Sequence, residues 1–161
     1  MNIFYDIKQI NEFTYSLKIH GDNVTVIYHI IKKMIKSAHY DSETDAIFFS
    51  AERVNSLKKF VLDHLDYKLN VEECIKMIDD LTKQMIYLKK NDYGFYGFDM
   101  NDILVIDNTF VFCSTKHLLE IEDDNYIFCS PISMPYFSSP ELIELTILPS
   151  EINHKCSYYS L

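Results

Sequence analysis

Residues 87–114 read YLKKNDYGFYGFDMNDILVIDNTFVFCS, and the rest of the chain is organised around them. Two apolar runs, Ile103-Leu104-Val105-Ile106 and Phe110-Val111-Phe112, are rich in β-branched and aromatic strand formers. They flank Asp107-Asn108-Thr109, three residues of turn chemistry, and together predict a hairpin. Just upstream, Tyr93-Gly94-Phe95-Tyr96-Gly97-Phe98 sets two of the chain's three glycines among aromatics. That placement predicts positive φ or a close backbone approach.

A helix leads into this stretch. Asn70 and Glu73 make a capping box, and Cys74, Ile75, Ile78, Leu81, Met85 and Leu88 keep helical spacing. The expectation is one helix over 70–89, packed against the hairpin through that face. Further upstream, Phe13 to Ile19 alternates as a strand, and Val24 to Ser37 is helical with Lys32, Lys33 and Lys36 near its end. Ala46-Ile47-Phe48-Phe49 reads as a short buried strand, and Ser56 to Leu65 as another helix. Downstream, Ser114 to Ser139 has no sustained period, an acidic run from Glu120 to Asp124, and prolines at 131 and 135. It reads as a long surface loop, of a length that is usually functional or disordered. Ser139-Pro140-Glu141-Leu142 then opens a short helix with proline in its first turn.

The totals limit the function classes. A chain of 161 residues can build one real core, and its apolar and charged fractions are those of a globular protein. A net charge of −9 with no compensating basic cluster argues against nucleic acid. No apolar run is long enough to span a bilayer, and Met1 to Asp6 lacks the basic start and apolar core of a leader; a cytoplasmic location is expected. Cys74, Cys113, Cys129 and Cys156 are widely spaced, as expected of reduced thiols.

The order of elements, strand, helix, strand, crossing segment, two helices, hairpin, long loop and S-P-E-L, resembles the protein-kinase fold. The family's H-R-D-L-K-P-E-N-I-L-V falls without a gap on Phe95 to Val105, and its A-P-E on Ser139-Pro140-Glu141. Its Tyr-Leu-His becomes Tyr87-Leu88-Lys89, its hinge lies on Ser50 to Leu57, and its D-V-W-S-L becomes Ser157 to Leu161. The style is similar to divergent kinase-like proteins of large DNA viruses, which would place the chain in host cytoplasm or virion. The resemblance implies an α+β fold. It implies a single incomplete domain, with about 1–55 small-lobe-like and about 56–161 a partial large lobe. In that fold Tyr158, Tyr159 and Leu161 begin a buried helix. Without the helices that follow, Leu81, Met85, Phe95, Phe98, Leu142 and Ile143 would show apolar surface to a partner or a second copy.

The resembled chemistry does not carry over. A kinase needs a catalytic Asp, an Asn and the DFG Asp on Mg²⁺, and a Lys paired with a helix Glu. Here the base position is Gly97, the metal Asn is Asp102, and the DFG triplet falls on Cys113-Ser114-Thr115, or one residue either side, with no carboxylate. Lys18 is the candidate strand lysine, yet the helix after it has no acid, and no glycine precedes Gly21 to build a phosphate loop. The implied protein is a pseudokinase that binds or scaffolds a protein partner or itself, with no cofactor and no metal. The alternatives are an active atypical serine/threonine kinase using ATP and Mg²⁺ through Asp99 and Asp102, and a non-functional truncated product. Asp99 and Asp102 also fit ordinary turn acids. His117 and His154 read as surface histidines, and Glu141 as an acid placed at a helix N-terminus.

Overall fold

The computed structural model describes residues 4–161; Met1, Asn2 and Ile3 of the N-terminal stretch weighed above lie outside the described residues. In chain order the elements begin with β1 (Tyr5–Gln9), β2 (Thr14–Ile19), α1 (Val24–Met34), β3 (His39–Asp41), β4 (Ala46–Ser50) and β5 (Val54–Ser56). Next come α2 (Leu57–Leu62), α3 (Val71–Lys89), β6 (Tyr93–Phe95), β7 (Ile103–Ile106) and β8 (Thr109–Phe112). The chain continues with β9 (Leu118–Glu120), β10 (Asn125–Phe128), α4 (Pro140–Ile143) and β11 (Ser150–Asn153). Short 3₁₀ segments cover Met100–Asp102 and His154–Ser160. The protein is α+β, with all its strand pairs antiparallel among the described residues. Two compact units form: residues up to Gln84 with Met100–Lys116, and Met85–Asp99 with His117–Leu161.

In the first unit, β1-β2-β4-β3 make one sheet and β5-β7-β8 another. Alternation in β2 buries Leu17 and Ile19, while α1 buries Ile27, Tyr28, Ile30 and Ile31. The Tyr28 hydroxyl donates to the Asp45 carbonyl at 3.0 Å and accepts from the Ile19 amide at 3.3 Å, so its ring is buried and its polar end satisfied. The hairpin forms as expected with one correction. Its turn is two residues, Asp107-Asn108, both at positive φ (45° and 63°), and Thr109 opens β8. Such turns match the twist of paired strands, and Asp and Asn are the side chains that best tolerate that region after glycine. The Asp107 carboxylate also accepts from the Arg53 amide at 2.8 Å, tying the turn to the segment before β5.

The capping box at the start of α3 is present in both directions: Glu73 N–H to Asn70 Oδ1 and Asn70 N–H to Glu73 Oε2, each 2.9 Å. The helix is continuous, as expected, but its inward face is rotated. Leu81, Met85 and Leu88 are buried, whereas Ile75 and Ile78 are exposed; Asp80 and Gln84 are buried instead. The cause is the free edge of β8. Asp80 Oδ2 accepts from the Phe110 amide at 3.0 Å. Gln84 donates to the Phe110 carbonyl at 2.7 Å and accepts from the Phe112 amide at 3.0 Å. A buried strand edge must find partners for its backbone groups, and two polar side chains one helical turn apart supply them.

In the second unit, β6 pairs with β9 and β10 with β11. Tyr96, Tyr126, Phe128, Leu142, Ile152 and Cys156 form its core. Residues 114–139 are therefore not the plain surface loop the sequence suggests: β9 and β10 lie within them, joined by a turn in which Asp123 and Asp124 both have positive φ. Strands of three and four residues are too short to display a period. Two further corrections concern burial. Phe95, Phe98 and Leu142 are buried rather than exposed, and Ile143 is exposed as expected; Leu81 and Met85 are buried, as expected of a helix face packed on the hairpin though not of an uncovered surface. Tyr158 and Tyr159 are exposed on the 3₁₀ segment, which buries His154, Cys156 and Ser157 instead. With three residues per turn, 154 and 157 eclipse each other on the inner side.

Candidate functional site

The expected site residues are divided between the units, and each group is described within its own. In the first, the hairpin register places Ile103 opposite Phe112, so Asp102 and Cys113 meet at its open end. Cys113 N–H donates to the Asp102 carbonyl at 2.9 Å, and both residues are buried. The phenol of Tyr5, on β1, interacts with the Cys113 thiol. Burial pushes the Cys113 thiol well above its ordinary pKa and the Asp102 charge pushes the same way, while the Tyr5 contact opposes them. Burial likewise raises the Tyr5 phenol, with Cys113 and Asp102 adding to it. A neutral thiol under a neutral phenol is a poor ligand for a hard cation, which takes anionic and carbonyl oxygens. Nucleophilic chemistry at the sulfur is also disfavoured, since the thiolate is the reactive form.

Lys18 sits on β2 between two buried neighbours, Leu17 and Ile19, and thus on the opposite face of the strand. Its ammonium donates to the Thr44 carbonyl at 3.4 Å.

In the second unit the glycines mark close approach. Neither Gly94 nor Gly97 has positive φ. A Cβ at Gly94 would lie 2.2 Å from the Tyr126 hydroxyl, and one at Gly97 would lie 2.6 Å from Pro135 Cγ. The space a catalytic carboxylate would need at position 97 is thus occupied by a proline ring. Around this stretch runs a buried polar chain that the sequence reading missed. The Tyr96 hydroxyl donates to the Ser133 carbonyl at 3.1 Å and lies 2.9 Å from His117 Nδ1. His117 Nε2 lies 3.7 Å from Asp99 Oδ2, and Asp99 Oδ1 accepts from the Tyr136 amide at 2.5 Å. His117 is buried, not at the surface as expected, because its ring fills the core beside Tyr96 (centroids 5.1 Å apart). His154 is buried too, its Nδ1 2.9 Å from the Asp124 carbonyl. The arrangement fastens residues 133–136 to Tyr96 and Asp99.

Glu141 does what its position suggests. Its own backbone amide and then the Ser139 hydroxyl hold its carboxyl below the ordinary value, beside the first turn of α4. Ser139, Pro140 and Glu141, with Ile152, Asn153, Lys155, Cys156 and Tyr159, line a groove of about 510 Å³. The thiol of Cys156, pushed up to about 12 by burial and then by Glu141, donates to the Tyr96 carbonyl at 3.7 Å.

These features define an α+β protein of short antiparallel sheets. No protein-family model matches the chain, and no curated protein matches it either. No helix among the described residues is long and apolar enough to cross a membrane.

Proposed function

We propose that this chain is a catalytically degenerate protein-kinase-like protein, a pseudokinase, that works as a binding or scaffolding module. The observation that carries the reading is the buried Tyr5–Cys113 contact beside Asp102. In the resembled frame these are the metal positions, and here one carboxylate is replaced by a thiol under a phenol. Three further features support it. The base position, Gly97, faces Pro135; Lys18 is bonded to a carbonyl; and α1 carries no acid that could pair with it. The sequence order of α3, β6, hairpin and β9, with β6 paired to β9 and β5 to β7, is compatible with the resemblance.

An atypical active kinase is the second reading. Its support is Asp99, whose carboxylate stands by the His117 imidazole. Titration of ATP into the purified chain with and without Mg²⁺, followed by a transfer assay, separates the two. A degenerate protein gives at best weak, metal-independent binding and no phosphate transfer. Restoring Cys113→Asp alone leaves it inactive, because base, metal ligands and phosphate cradle act as a unit. Mg²⁺-dependent binding with transfer that Asp99→Ala or Asp102→Ala abolishes overturns the proposal.

A further inference from the structure

The exposed isoleucines of α3 lie in a row. Val71, Ile75, Ile78 and Ile86 follow each other at helical spacing, with Thr82 filling the gap, and are 74%, 63%, 46% and 50% exposed. At 3.6 residues per turn these positions span well under half the circumference, next to the side that buries Leu81 and Met85. A capped helix of 19 residues is about 28 Å long at 1.5 Å per residue, so the row is a stiff apolar ridge. Contiguous apolar surface of this kind on a folded protein marks an interaction site more often than it is left to water.

The charges along one flank of the ridge select the occupant. Glu72, Asp79 and Lys83 sit on the same side by helical spacing, with Lys90 just past the last turn, its amide bonded to the Ile86 carbonyl. Lys76, on the same flank, is paired with Asp80 of its own helix, so the remaining charges are acidic towards the N-terminus and basic towards the C-terminus. Two copies of such a helix related by a twofold axis across their length run antiparallel, and the flank of one meets the same flank of the other reversed. Glu72 and Asp79 of each copy then face Lys90 and Lys83 of its mate, and the helix dipoles also oppose. A parallel pair would bring this flank against the opposite side instead. Within one copy, Lys83 already donates to Asp79 at 2.5 Å across one turn, on the exposed surface where the mate's charges can share the pair.

We infer that the ridge Val71-Ile75-Ile78-Ile86 is a homodimer interface in which α3 packs antiparallel against α3 of a second copy. The inference rests on the reading of the chain as an interaction module and names one partner for it, a second copy.

The test is sedimentation velocity on the full chain over a concentration series. The wild type is expected to reach twice the 19.0 kDa chain mass. Ile75→Glu with Ile78→Glu should weaken dimerisation on the order of 30-fold or more, as loss of a central hot spot does. Its circular dichroism and melt should stay those of a folded chain, since both side chains already face water. Ile147→Glu, at an exposed apolar position outside α3, should leave the dimer intact. A basic variant (Glu72→Lys, Asp79→Lys) and an acidic variant (Lys83→Glu, Lys90→Glu) should each be weakened alone and should dimerise when mixed. A wild type that stays monomeric overturns the inference, as does a dimer indifferent to Ile75→Glu with Ile78→Glu, or charge variants that fail to combine. Each of these leaves the nucleotide titration, which decides the catalytic reading, untouched.

Discussion

The two units close their short strands by different chemistry. In the first, a long helix lends the edge of β8 a carboxylate and a carboxamide, Asp80 and Gln84, which bond Phe110 and Phe112. In the second, phenols do the work: Tyr126 donates to the Phe95 carbonyl at 3.1 Å and Tyr96 to the Ser133 carbonyl at 3.1 Å. A tyrosine brings a large apolar ring together with its polar end, so one residue both fills the core and satisfies a loop. A helix must divide those tasks among positions one turn apart. Beyond the last turn of α3 and the 3₁₀ segment, the second unit builds its core from elements of three or four residues, and Gly94 follows from the same design, since ring and hydroxyl come up against its bare backbone.

The comparison is broken most severely from the helix side. Leu81→Ala should cost on the order of 2 to 5 kcal/mol in urea unfolding, because a fully buried side chain leaves a cavity between elements that relax only in part. Gln84→Ala should follow at about 2 to 4 kcal/mol, by stranding one buried carbonyl and one buried amide. Hydrogen exchange then identifies the mechanism: the Phe112 amide should lose protection more than its neighbours in β7. Equal loss along both strands would point to general loosening instead.

On the aromatic side the effects are smaller. Tyr126→Phe removes one hydroxyl and should cost about 1 kcal/mol. Gly94→Ala should cost about 1 to 3 kcal/mol by overpacking against that hydroxyl. Combining the two should cost less than the sum, since the phenylalanine ring vacates the atom nearest the new methyl. Full additivity in the double mutant would show that the Gly94 contact is not what constrains the position.

The smallest effect is a pH dependence of the first unit alone. His64 is held above the ordinary histidine value of 6.5, first by its hydrogen bond from Nε2 to Glu73 and then by the Phe60 carbonyl. For Glu73, burial works to raise the carboxyl, but the Asn70 amide and His64 together outweigh it and hold it below 4.5. A histidine raised in the folded state adds stability that is complete below pH 6.5 and is lost as pH rises through the raised value. The carboxylate's share is present above pH 4.5 and is lost on acidification through its lowered value. Stability should therefore decline slightly from pH 6 to pH 9, and His64→Gln should flatten that slope.

What the sequence by itself determined is local. The capping box of Asn70 and Glu73, the β-branched runs around Asp107-Asn108 and the Ser-Pro start of α4 all follow from spacing and side-chain chemistry within a few residues. Gly94 and Gly97 announced a positive φ or a close approach, and Tyr126 and Pro135, distant in sequence, decided for the second. That position 113 carries a thiol and not a carboxylate is equally legible, because it is a statement about residue identity. The tertiary structure decided the rest. Which side of α3 turns inward depended on the unpaired edge of β8, so Asp80 and Gln84 displaced Ile75 and Ile78 from the core. The strands within residues 114–139 exist because β6 and β11, distant in sequence, supply their hydrogen bonds. Tyr5 reaches Cys113 although β1 and β8 belong to different sheets, and His117 takes its buried place beside Tyr96 and Asp99 through the pairing of β6 with β9. Burial is a property of what packs around a residue, and a polar side chain's partner can come from anywhere in the chain.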